Sequence, residues 1–109
     1  MTFKLCKLAF IMTLIVVTLG ALTRLHDAGL GCPDWPGCYG QLLPPDSVEL
    51  TGTTLIDESK AWMEMIHRYV AASLGVIILI ITIRIEREKS YSTKVRWLSR
   101  SILLLVIVQ

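Results

Sequence analysis

Glu64, His67 and Arg68 fall within one short segment, Glu64-Met65-Ile66-His67-Arg68-Tyr69. On a helix, a carboxylate and an imidazole three residues apart share a face. Ala71 and Gly75 continue that face in steps of four, giving a stripe of acid, imidazole and two small residues. A flat iron macrocycle lying against a helix needs such a smooth surface, with a histidine able to reach the metal. Arg68, one residue on, is placed to meet a carboxylate side group of that macrocycle near an interface. A packing reading stands beside this one, because Ala71-x-x-x-Gly75 is also a small-residue helix-contact motif. Ionisable residues inside an apolar helix are costly, which weighs toward function.

A second constellation is Cys32-Pro33-Asp34-Trp35-Pro36-Gly37-Cys38. In an oxidising compartment Cys32 and Cys38 are able to form a disulfide, with Pro33 and Pro36 stiffening the loop between them. Closing so short a loop is worth about 2 kcal/mol in the chain-entropy model. A structural staple and a redox pair both remain open on these residues. The five intervening residues are not the usual short zinc-ligand spacing, and only His26 is near enough in sequence to assist. Cys6 reads as a small packed apolar residue.

The elements that must position these groups are apolar helices. The stretch 3–22 is interrupted only by Lys4, Cys6, Lys7 and a few threonines. As a helix it measures about 30 Å, one hydrocarbon thickness. Lys4 and Lys7 lie at its end, where their stems reach the headgroups. A cleaved signal peptide would share the basic start and small residues such as Gly20-Ala21. The further spans favour a retained helix. Gly29-Leu30-Gly31-Cys32 has the outline of a lipoprotein cleavage site, but Arg24 and Asp27 separate it from the apolar stretch. A second span covers 62–85, preceded by Asp57, Glu58 and Ser59, which suit a helix N-terminus. Trp62 and Tyr69 fit an aromatic belt at one interface. A third span opens at Trp97 and covers about 18 Å by residue 108. A carboxylate ending there would lie in hydrocarbon at a cost of several kcal/mol, so the expectation is a chain that is part of a longer protein.

Composition agrees with lipid as the solvent. The 109 residues are 53% hydrophobic and 18% charged, too apolar for a soluble domain of this size to hide. A net charge of +2 gives no reason to expect nucleic acid as a partner. The basic residues instead report sidedness. Residues 84–100 carry Arg84, Arg87, Lys89, Lys94, Arg96 and Arg100 against Glu86 and Glu88. Residues 23–62 carry only Arg24 and Lys60 against Asp27, Asp34, Asp46, Glu49, Asp57 and Glu58. By the positive-inside rule the N-terminus and the loop 86–96 are cytoplasmic, and the loop 23–61 faces outward. Both constellations then fall at the outer face. The outer loop is well beyond the usual connection length, which favours a functional loop.

The segment Thr23-Arg24-Leu25 and the run from Ala28 to Gly40 that contains Cys32-Pro33-Asp34-Trp35-Pro36-Gly37-Cys38 resemble the first outer loop of bacterial heme A synthases. Lys60-Ala61-Trp62 with Glu64-Met65-Ile66-His67-Arg68-Tyr69 resembles the start of their second helix. Together these cover most of residues 20–75, in order. The resemblance implies an all-α integral membrane bundle in which this chain supplies two full spans and the start of a third (97–109), part of a four-helix half of an eight-helix protein. It implies an oxidoreductase that converts heme O to heme A for cytochrome oxidase assembly, in the bacterial inner membrane. His67 then matches an axial ligand of heme iron and Glu64 the acidic residue needed nearby, and Arg68 is expected at the cofactor from its position beside His67. Cys32 and Cys38 match the outer-loop cysteine pair found in one subgroup of the family, expected here as a disulfide. His26 matches no motif position. The implied ligands are heme O as substrate and heme b in the full-length protein. The implied partners are membrane lipid, heme O synthase, cytochrome oxidase assembly factors and a C-terminal half carrying the opposing histidines. A chain holding one ligand of one site is expected to be inactive alone. The alternative from another class is a small membrane heme-binding or interaction module without catalysis.

Overall fold

A computed structural model describes residues 1–26, 35–38, 40–43 and 58–109. Among these residues the regular elements are three helices: α1 over Thr2–Leu25, α2 over Glu58–Arg87 and α3 over Thr93–Val108. Thr2–Leu25 and Ser59–Arg87 are each long and apolar enough to cross a membrane. The fold class is all-α and of the membrane-helix type.

Each helix runs past the apolar stretch that announces it. Helical hydrogen bonding needs backbone, not apolarity, so Arg24 at one end and Arg84 and Arg87 at the other stay helical. The loop expected over 86–96 shrinks to residues 88–92. The third helix opens at Thr93, after Ser92 in extended conformation, rather than at Trp97. Threonines inside the helices turn their hydroxyls back on the backbone. Thr13 donates to the Ala9 carbonyl at 2.7 Å, Thr23 to Leu19 at 2.7 Å and Thr82 to Ile78 at 2.9 Å. Each hydroxyl is thereby satisfied within its own helix, as a lipid environment requires.

The chain divides into two compact units. The first combines Met1–Leu14 with Ala71–Gln109. Within it α2 and α3 meet at three levels. A Cβ at Gly75 would stand 3.7 Å from Val106 Cγ1, an ordinary contact distance. Buried Thr82 reaches the Ser99 carbonyl at 3.5 Å, and Arg100 grips both oxygens of Glu86 at 2.8 and 2.7 Å. Gly75 meets the late residue Val106 of α3, while Thr82 and Glu86 meet the earlier Ser99 and Arg100, so the pair is antiparallel. Gly75 thus faces Val106 of α3 at ordinary contact distance. Cys6 departs from the packed residue expected of it. It is a free, exposed thiol lining an apolar cavity of about 300 Å³ with Phe10, Thr82 and Ile102.

The second unit is Ile15–Val70. Among its described residues, Cys38, Ala61 and Met65 form one buried cluster, and Val16 and Thr23 are buried on α1. Large apolar side chains of this unit such as Val17, Leu22, Leu25 and Ile66 are exposed instead. An apolar surface of that kind suits lipid rather than water.

Candidate functional site

The first turns of α2 carry the chemistry, and the second unit shows what surrounds them. Ala61 and Met65, four apart, face the same way and are 0% and 1% exposed. Cys38, also 0% exposed, packs with them. The turn carrying Cys38 is built by its own backbone. Cys38 N–H donates to the Gln41 carbonyl at 2.8 Å and Gln41 N–H returns the bond to Cys38 at 3.1 Å. Gly40 closes this turn at φ 77°, a conformation that costs other residues a Cβ clash.

Two neighbouring side chains of α2 tie this turn down. The Arg68 guanidinium donates from Nη1 to the Gly37 carbonyl at 3.1 Å and from Nη2 to Oε1 of Glu64, its partner one turn back. The Tyr69 hydroxyl donates to the Leu42 carbonyl. Glu64 itself is 7% exposed. The two constellations separated in the sequence thus meet, with the cysteine turn seated on the Ala61–Met65 face of α2.

His67 looks elsewhere. Its imidazole lies against Gly20 of α1, where a Cβ would stand 3.2 Å from Cε1, 3.7 Å from Nε2 and 3.9 Å from Nδ1. Nδ1 is buried without a hydrogen-bond partner. Imidazoles that bind metal depend on what the second ring nitrogen meets, so an unsatisfied nitrogen is the feature to explain. Among the described residues no group of three His, Cys, Asp or Glu side chains is set to hold a bare metal ion. A metal that brings most of its own ligands, as heme iron does, would need only one such imidazole. Arg68, expected at the cofactor, is engaged by Glu64 and Gly37. Cys32 lies outside the described residues, as do residues 27–34, 39 and 44–57 generally. His26 is exposed after the last turn of α1.

Residues 4–109 match the profile of the cytochrome oxidase assembly protein family. The chain belongs to this family. It is similar to the heme A synthase of Shewanella oneidensis, 49% identical over 84 residues that cover 71% of this chain and 26% of that protein. It is also similar to the heme A synthase of Lysinibacillus sphaericus, 32% identical over 97 residues, covering 88% of this chain and 28% of that one. The chain thus spans about a quarter of the length of these relatives. No solved structure matches it.

Within this member of the cytochrome oxidase assembly protein family, two site residues escape a reading by motif. Gly20 appears in the sequence only as a small residue near the end of an apolar stretch. Gly37 acts through its carbonyl, which no residue type advertises. The signal available for Gly20 was its chemistry: glycine in a membrane helix often marks close approach of a neighbour.

Proposed function

We propose that this chain provides helices of a heme A synthase-type membrane oxidoreductase, which converts heme O to heme A for cytochrome oxidase. One observation carries the reading: the buried, unpartnered Nδ1 of His67, one turn along α2 from the buried carboxylate of Glu64. Family membership and the heme A synthases among the relatives support it.

In this reading His67 would hold the heme iron, with its imidazole seated against Gly20 of α1. A bound heme supplies the redox-active iron and the ring methyl whose oxidation gives the formyl group. Glu64 takes up or returns a proton at its carboxylate, in a setting shielded from bulk water by its burial. Cys32 and Cys38 form a disulfide in the loop above. The charge asymmetry around the spans supports a loop outside the bacterial inner membrane and a loop after α2 in the cytoplasm. Heme O, membrane lipid, heme O synthase and cytochrome oxidase assembly factors are the partners. The opposing histidines come from the rest of a protein of the relatives' full length.

The direct test is His67→Ala in such a full-length protein. Hemes extracted from membranes of the expressing cells should then contain no heme A. Normal heme A in that variant would refute the assigned role.

A further inference from the structure

We propose that Arg68 is a positioning residue, which locks the Gly37–Cys38 turn and the Glu64 carboxylate into a single unit. The proposal rests on the reading of Glu64 and His67 as the reaction site. It assigns Arg68 a role different from that of an anion ligand for the cofactor.

A guanidinium is a planar fork whose donors point in fixed directions. Here two different nitrogens serve two different elements: Nη1 holds the Gly37 carbonyl, and Nη2 holds Oε1 of Glu64. Moving one acceptor without the other would rotate the fork away from its second partner. The Arg68 side chain is 20% exposed and that of Glu64 9%, so water competes little for either bond. Tyr69 adds the complementary tie. Gly37 lies just before the Cys38–Gln41 backbone pair and Leu42 just after it. Arg68 and Tyr69, adjacent on α2, therefore hold both strands of the turn. Cys38 is pressed between them onto Ala61 and Met65. A lysine would pair with Glu64 but would lack the second, rigidly spaced donor.

The consequence is mechanical. An incoming carboxylate that took either of these two donors would release Gly37 or Glu64, so binding through them would open the turn. A turn that stays closed keeps the Glu64 oxygen where Arg68 puts it.

Amide hydrogen exchange on the full 109-residue chain in lipid nanodiscs tests the lock without any heme. In Arg68→Gln the amides of Cys38 and Gln41 should exchange roughly tenfold faster or more, as expected for loss of a charge-assisted bond. Amides over 71–85 should be unchanged. Arg68→Lys should leave the turn loosened, and Tyr69→Phe should loosen it on its own through the Leu42 side. Unchanged exchange at Cys38 and Gln41 in Arg68→Gln would overturn the proposal. If that variant does not insert, unchanged exchange in Tyr69→Phe and Arg68→Lys would overturn it equally.

The positioning role toward Glu64 is read in a protein of the relatives' full length. Arg68→Gln should retain heme with an unaltered Soret band while the pH profile of heme A formation shifts. Loss of heme with an unaltered turn would make Arg68 a cofactor ligand and sink the proposal. Normal heme A in His67→Ala would sink the function reading alone, leaving the exchange result to stand.

Discussion

Gly20 of α1 and His67 of α2 meet without room for a side chain between them, since a Cβ at position 20 would approach the imidazole Cε1 to 3.2 Å. That distance is short enough to displace the ring by a few tenths of an ångström. Gly20→Ala also gains helix propensity, worth up to about 1 kcal/mol in water. The two effects act on different observables. Gly20→Ala should leave thermal stability within about 1 kcal/mol of the parent, while heme absorbance in the full-length protein shifts. Gly20→Leu should abolish heme binding. Unaltered heme spectra in Gly20→Leu would show that the imidazole needs no such seat.

Glu64→Gln preserves the size of the side chain and the acceptor that faces Arg68, and removes the titratable group. The helix should insert as before, by circular dichroism and membrane fractionation. Heme A yield should fall roughly a hundredfold, the usual weight of a general acid–base group. Full yield would confine Glu64 to the lock with Arg68.

The asymmetry of basic residues predicts a topology that reporters can read. A reporter active only outside the cytoplasm should work when fused at Thr53 and be silent when fused at Ser92. The reverse pattern would overturn the orientation and, with it, the oxidising setting of the cysteine loop.

For the cysteine pair, mass spectrometry of unreduced protein should find a peptide cross-linked between Cys32 and Cys38, with Cys6 alkylatable. Cys6 is a free thiol, and Cys38 is fully buried. Alkylation of both Cys32 and Cys38 in fresh membranes would reject a stable bond.

How much of this was legible in the sequence follows the range of the interactions. The two long helices were, because apolar length is a local property that lipid selects directly. Their ends were not, since Arg24 and Arg87 remain helical by backbone hydrogen bonding that apolarity does not report. Glu64, His67 and Arg68 stood out as ionisable groups in an apolar helix. Their partners did not. Whether Arg68 faces a cofactor or the Gly37 carbonyl depends on how a loop thirty-one positions away in sequence folds back. The seat for His67 depends likewise on which face of α1 meets α2, and Gly75 faces Val106 for the same non-local reason.

Arg24 lies one helical turn beyond Gly20 on α1 and is exposed. A guanidinium at a helix end settles among the lipid headgroups. One turn is about 5.4 Å along the axis, so α1 acts as a depth gauge for its neighbour. Where α1 spans a bilayer, this anchor helps to set the immersion of the His67 ring, alongside Trp62 and Tyr69 on α2, while Arg68 and Glu64 are paired with each other. Sliding that anchor by one turn would carry the imidazole deeper or shallower while leaving every residue of α2 untouched.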